Sequence, residues 1–235
     1  MTDQGQINLI LVGCEGQMGQ AVASIAARES SCVLAGQIDR KHRHLPEQGG
    51  DFVVVDFSSE SGVREAISIS YDYRAPLLTG TTGLSQETHE MLRELAGQVP
   101  VCVASNTSLG IAVMRELVGV ACRVFGVDGQ WTVQLLEKHH TKKKDAPSGT
   151  ALELVSICSD GGFELSPDEV RSIREGTIVG EHEIRFSSRE ETLTVRHEAH
   201  DRGLFARGAI LLARSLHGRS PGLFDVKTLL DPQNG

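Results

Sequence analysis

The stretch Glu137-Lys-His-His-Thr-Lys-Lys-Lys-Asp-Ala-Pro-Ser-Gly-Thr150 sets two histidines, four lysines and a Pro-Ser-Gly-Thr turn side by side. An imidazole titrates near neutrality, which suits His139 or His140 to moving a proton. Lys143 offers a positive charge and an amine that can also carry a proton. Ser148, Gly149 and Thr150 have the character of a helix start, where N–H groups and the helix dipole attract anions. The chemistry open to this set is protonation of a small, multiply charged anion. The residues alone do not choose between His139 and Lys143 as the proton donor. Thr150 with Glu153 also fits a capping box, a structural role compatible with ligand contact.

Other readings of the same stretch are weaker. Neighbouring strand residues face opposite ways, and no Cys/His set of metal spacing accompanies His139 and His140, so no metal site is expected. His182, His197 and His200 are expected to be structural or at the surface. A Lys/His run is by composition a solvated loop or a nucleic-acid patch. The net charge of −8 and the attached Asp-Ala-Pro-Ser-Gly-Thr argue against nucleic acid.

The elements that must position these residues follow from apolar periodicity. The chain has 235 residues, 40% of them apolar, enough for one large domain or two small ones. The five cysteines, Cys14, Cys32, Cys102, Cys122 and Cys158, form no CxxC pair and predict reduced thiols in a cytoplasmic protein. The polar lead Met1 to Gln6 runs straight into a strand pattern; with no signal-peptide pattern and no long apolar run, neither secretion nor a membrane span is expected. Continuous apolar runs at 7–12, 32–38, 51–57, 75–79 and 99–103 predict strands, with helices at 17–28, 61–71 and 85–97 between them. Strands of that kind are buried on both faces, so the first hundred residues predict a parallel, doubly wound sheet of Rossmann type. Beyond residue 107 the pattern becomes α+β. Helices are predicted at 108–125, 149–158 and 203–216, a strand at 131–137, and an antiparallel hairpin from the alternating stretches 182–186 and 192–196. The fold class is thus α/β with a second α+β domain built on a mixed or antiparallel sheet.

Gly13, Gly16 and Gly19 form a GxxGxxG loop between the first strand and the first helix. Such a loop lets a pyrophosphate approach backbone N–H groups, but alone it is also an ordinary strand-to-helix turn. Asp39 ends the second strand about twenty residues past Gly19, where an acid binds ribose hydroxyls. Arg40, Lys41, His42 and Arg43 follow, either as a 2′-phosphate site or as a solvated loop, so the residues suit both NAD and NADP. Two further small-residue loops, Gly80-Thr-Thr-Gly83 and Ala104 to Gly110, lie at strand C-terminal ends, where ligands bind in such sheets.

The segment Glu137 to Ala151 closely resembles the signature of the dihydrodipicolinate reductase family, also called 4-hydroxy-tetrahydrodipicolinate reductases, of diaminopimelate and lysine biosynthesis. Other pieces agree in order: Gly13-x-x-Gly16-x-Met18-Gly19, Gly80-Thr-Thr-Gly83, Ala104-x-Asn106-x-Ser108-x-Gly110, Gly176-x-Ile178-Val-Gly-Glu-His182 and Arg202-x-x-Phe205-Ala-x-Gly-Ala209. The resemblance covers essentially the whole chain and implies NAD(P)H-dependent reduction of a cyclic imine dicarboxylate. It implies His139 as catalytic proton donor or acceptor, Lys143 as proton donor and substrate ligand, and His140, Ser148, Gly149 and Thr150 as substrate-carboxylate contacts. Cofactor contacts fall on Gly13, Cys14, Glu15, Gly16, Gln17, Met18, Asp39, Arg40, Gly80, Thr81, Thr82, Ala104, Ser105, Asn106 and Thr107. The implied domains are 1–107 for the dinucleotide, rejoined by 202–235, and 108–201 for substrate and for assembly of a homotetramer. Departures from the family pattern are Gln17 for a common arginine, Thr107 for a frequent aromatic residue, and the extra charges Lys138 and Lys144. The alternatives to this reading are another Rossmann oxidoreductase, such as an amino-acid dehydrogenase, and a dinucleotide-sensing regulator whose basic loop grips a partner or RNA.

Overall fold

The structure is a computed structural model that describes residues 6–127 and 129–231. Residues 1–5, which hold most of the polar N-terminal lead, and 232–235, the end of the C-terminal segment, lie outside the described residues. The chain divides into two compact units, residues 1–108 with 203–235, and residues 109–202.

The first unit runs β1 (Ile7–Val12), α1 (Gln17–Ala26), β2 (Cys32–Ile38), β3 (Arg43–His44), β4 (Phe52–Asp56), α2 (Glu60–Tyr73), β5 (Leu77–Thr79), α3 (Gln86–Ala96) and β6 (Pro100–Val103). The second unit runs α4 (Leu109–Phe125), β7 (Thr132–His139), α5 (Gly149–Asp160), a 3-10 turn (Pro167–Glu169), β8 (Arg171–Arg174), β9 (Gly180–Ser187) and β10 (Thr192–Ala199). The chain then returns to the first unit as α6 (Gly203–Leu216), β11 (Gly222–Phe224) and α7 (Val226–Leu230).

Among the described residues, the first sheet has the order β11-β6-β5-β4-β1-β2-β3 and is parallel throughout except for β3, which pairs antiparallel with β2. Every residue of β4 is buried, as a central strand covered on both faces requires. The register carries Val12 opposite Asp56, Asp56 opposite Thr79, and Thr79 opposite Val103. Four strands therefore end level, and the loops that follow them share one edge of the sheet.

The second sheet has the order β10-β9-β7-β8, with β8 parallel to β7 and the other pairs antiparallel. Leu135, Ile184 and Phe186 face inward and pack with Ile111, Met114 and Val118 of α4 and Leu154 of α5. Enclosing a side chain such as Phe186 stabilises the unit by about 1.5–3 kcal/mol. Helix α4 is apolar on a second face as well. Val113, Leu117, Val120 and Val124 recur at helical spacing and are each about half exposed.

The boundaries of most elements agree with the apolar pattern. Strand β7 is longer than its pattern predicts, since it continues past Glu137 to His139. The short elements β3, β8, β11 and α7 have no counterpart in the periodicity.

Candidate active site

In the first unit the glycine loop is shaped by contact as well as by turn geometry. Gly13 has φ +84°, and a Cβ there would lie 2.3 Å from the Phe57 carbonyl oxygen. A Cβ on Gly19 would lie 2.0 Å from the Gly13 carbonyl oxygen, so α1 sits against the loop only because that position has no side chain. Helix α1 opens at Gly16 with no side-chain cap, an arrangement in which a helix start receives a phosphate. Asp39 accepts hydrogen bonds from the Arg40 amide at 2.6 Å and the Glu15 amide at 3.0 Å, and these hold its carboxyl below the usual carboxylate range. A cavity of about 580 Å³ is lined by Gly13, Glu15, Gly16, Asp39, Arg40 and Lys41 together with Phe57, Ser58 and Ser59 from the end of β4. The residues fit a dinucleotide. Of the basic run, His42 pairs with Glu15 at 2.8 Å and Arg43 pairs with Glu65, which leaves Arg40 and Lys41 as the run's cations at the cavity.

The loops Gly80–Thr82 and Ala104–Thr107 follow β5 and β6 at the same sheet edge but do not line this cavity, nor do Cys14, Gln17 or Met18. One buried carboxylate organises the edge. Asp56 receives hydroxyl hydrogen bonds from Thr81 at 2.6 Å and Thr79 at 2.7 Å, and from Ser58. Thr81 Oγ1 in turn accepts the Ser58 amide at 2.9 Å. Burial pushes the Asp56 carboxyl up, and the three hydroxyls only partly offset it. Asp56, Phe57 and Ser58 carried no motif. The signal that points to them is the rule that ligands bind beyond the carboxyl ends of such strands. The Cys14 thiol is pushed up by burial, which makes it a poor nucleophile.

In the second unit the basic stretch straddles the end of β7. His139 is buried on the same face of the strand as Glu137, as residues two apart must be. Lys138 points the other way and pairs with Glu181 at 3.4 Å, while Lys144 is exposed. His140 is half-buried, and burial followed by the charge of Arg202 lowers its pKa. Lys143 pairs with Asp145 at 2.8 Å. Ser148 caps α5 by accepting the Ala151 amide at 3.2 Å. The cap is therefore Ser148, and Gly149 and Thr150 form the first turn. The predicted Thr150–Glu153 capping box does not form, because the helix starts earlier and Glu153 pairs with Arg115 of α4.

Two residues join this group that carried no assigned role, and a third that was expected to be structural or at the surface. Glu137 Oε2 lies 2.5 Å from His139 Nδ1, and Arg174 of β8 donates to Glu137 Oε1 at 2.7 Å. Burial alone would raise the Glu137 carboxyl, but His139 and Arg174 together take it down to about 2. His182 lies opposite Glu137 across the β7–β9 pair and is buried, with Nε2 3.2 Å from Ser148 Oγ and its ring edge-on to His139. Burial, then the charge of His139, lowers its pKa to about 3, so it is a neutral ring. Donor atoms of Glu137, His139 and His182 all fall within 4.8 Å of one another. A cation there would have to compete with Arg174, which already donates to Glu137 Oε1.

Comparison with known proteins bears on both units. Residues 7–107 match the family described as dihydrodipicolinate reductase, N-terminus, and residues 110–230 match dihydrodipicolinate reductase, C-terminus. A 4-hydroxy-tetrahydrodipicolinate reductase of Stenotrophomonas maltophilia (strain R551-3) is 37% identical over 97% of this chain and 99% of its own. The protein of that name from Zymomonas mobilis is 32% identical over 98% and 99%. The solved dipicolinate-bound dihydrodipicolinate reductase from Paenisporosarcina sp. TG-14 shares the fold, with a TM-score of 0.76 at 20% identity over 94% of this chain and 97% of that one. Matched in order through both halves and nearly end to end with its relatives, the chain belongs to the dihydrodipicolinate reductase family and is an oxidoreductase.

Proposed function

We propose that this chain reduces 4-hydroxy-tetrahydrodipicolinate to tetrahydrodipicolinate for diaminopimelate and lysine synthesis, with NADH or NADPH as reductant. The observation that carries the reading is the stretch from His139 to Thr150, where a buried histidine, a lysine and a capped helix start share one strand end in a chain matched throughout to this family. The reduced nicotinamide, when bound, supplies the hydride. Residues 1–107 with 202–235 hold the dinucleotide through Gly13 to Met18, Asp39, Arg40, Gly80 to Thr82 and Ala104 to Thr107. Residues 108–201 hold the substrate. Lys143, His140, Ser148, Gly149 and Thr150 bind its two carboxylates, since a dianion needs cations and N–H donors to leave water. The 4-hydroxyl leaves as water to give a conjugated imine, hydride addition to that system leaves an electron-rich ring carbon, and His139 or Lys143 passes it the proton that completes the reduction.

Asp39, oriented by two amides, supports binding of a free adenosine ribose and hence NADH. Arg40 at the same cavity supports a 2′-phosphate and hence NADPH. The half-exposed apolar stripe on α4 supports assembly into a homotetramer. The five free thiols support residence in the cytoplasm; among the described residues no helix is long and apolar enough to cross a membrane. The deciding experiment follows loss of NADH and NADPH absorbance separately, with freshly made 4-hydroxy-tetrahydrodipicolinate as substrate. Oxidation of at least one is expected, and oxidation of neither overturns the proposal.

A further inference from the structure

A carboxylate buried beneath a histidine is costly unless it has work to do. Glu137 is fully enclosed, and an isolated charge there would cost several kcal/mol of desolvation. An apolar residue of similar size would serve β7 as well or better if stability were the only issue. Instead the fold supplies a second element to stabilise the charge. Strand β8 lies parallel to β7 with Arg174 opposite His139, and the Arg174 guanidinium donates both to Glu137 Oε1 and to the Asp145 carbonyl in the turn that carries Lys143. His182, opposite Glu137 across the β7–β9 pair, faces Ser148. Glu137 Oε2 and His139 Nδ1, both buried, lie 2.5 Å apart, and among the described residues neither has a hydrogen bond to any other group.

We infer that Glu137 is a positioning residue for the proton transfer: it keeps a proton on His139 Nδ1, fixing the ring so that Nε2 is the nitrogen that exchanges protons with substrate, while Arg174 fixes the carboxylate. The inference rests on the reading of His139 as a proton donor. An imidazole whose Nδ1–H is anchored by a carboxylate is both oriented and better able to carry positive charge. Glutamine at 137 would keep the shape and reverse the hydrogen bonding, because its amide N–H donates to Nδ1 and favours the proton on Nε2.

The test compares wild type, E137Q, E137D and H139Q as full-length chains. Steady-state kinetics are measured with saturating cofactor, and the His139 tautomer is read from long-range proton–nitrogen spectra of histidine-labelled protein. E137Q is expected to lose about 30- to 100-fold in kcat, with KM for the cofactor held within about two-fold and the Nδ1-protonated tautomer lost. E137D, which retains the charge at a greater distance, is expected between the two and carries the test if E137Q does not fold. Wild-type kcat in E137Q, or a fall in kcat with the Nδ1 tautomer unchanged in both variants, overturns the inference. H139Q separates this from the underlying reading. Normal turnover in H139Q sinks the role of His139 itself, whereas a crippled H139Q beside an unimpaired E137Q overturns only the role of Glu137.

Discussion

Gly180 offers a graded perturbation of the histidine that leaves every polar group in place. It begins β9, and a Cβ built on it would lie 3.2 Å from His139 Nε2 and 3.5 Å from Cδ2. The first distance is tighter than ordinary van der Waals contact, so in Gly180→Ala the ring must yield by a few tenths of an ångström. It has little room to do so, with Glu137 Oε2 at 2.5 Å on one side and the His182 ring edge-on at 5.2 Å. Overpacking of this kind costs about 1–3 kcal/mol against a total stability of about 5–15 kcal/mol, so the variant remains folded. A misplacement of about 1 Å can cost 10²-fold in rate, and a shift of about half that size should cost roughly 10-fold, or about 1.4 kcal/mol of barrier. The assay is kcat and KM from loss of reduced nicotinamide, with cofactor Kd from fluorescence titration and stability from a denaturant midpoint. The expected result is a kcat lowered by about 10-fold with cofactor Kd unchanged. A folded Gly180→Ala protein with wild-type kcat would refute the argument that the position of the His139 ring limits turnover.

Four further outcomes are expected. His139→Gln and Lys143→Ala each lower turnover by roughly 100-fold or more with little loss of cofactor affinity, and steady-state rates in both near wild type dismiss the site. Asp56 is raised above its ordinary 3.8 by burial, so its contribution to stability is present below pH 3.8 and fades as pH rises through the folded value. Denaturant melts across that window should therefore move in favour of Asp56→Asn relative to wild type as pH increases, while KM for the cofactor rises; a gap moving the other way contradicts the buried-carboxylate account. Glu60 is lowered from 4.5 to about 2 by the Ser85 and Thr88 hydroxyls and the Ser85 amide at the start of α3, so its contribution is present above pH 4.5 and lost as pH falls towards 2. Glu60→Gln should be less stable than wild type at pH 7 and indistinguishable from it near pH 2, and a pH-independent difference refutes the assignment. If the proposed homotetramer assembles through the α4 stripe, wild type sediments as a tetramer and Leu117→Glu as smaller species, and an equal mass for the two removes that face from the proposed assembly.

The parts of the fold visible in the sequence are those held by local periodicity. Strands such as β4 announce themselves because a strand buried on both faces is apolar throughout, and α6 because its stripe repeats at helical spacing. The candidate site was legible where its chemistry is contiguous, from His139 to Thr150. It was not legible where partners are brought together by register. Arg174 sits on a four-residue strand of sequence Arg-Ser-Ile-Arg with no apolar alternation, and it meets Glu137 from 37 residues away. The burial of His182 follows from its register opposite Glu137, which no spacing rule supplies. The misplaced capping box has the same origin. Glu153 stands three residues past Thr150, but Arg115 on another helix claims its carboxylate.

The first unit is written in two pieces, and that has a cost in time. Helix α6 packs against α1 and strands β4, β5 and β6, and β11 pairs with β6, yet both come from residues beyond 202. A growing chain therefore completes the sheet's first six strands and then makes roughly ninety residues of another unit before the helix that covers them exists. At about 5–20 residues per second, that leaves apolar strand faces uncovered for on the order of 5–20 s. The interval is long enough for a chaperone to bind or a neighbouring chain to aggregate, so yield from the ribosome, more than final stability, should be sensitive to substitutions on the face of α6 that carries Ala206, Ala209, Ile210 and Ala213.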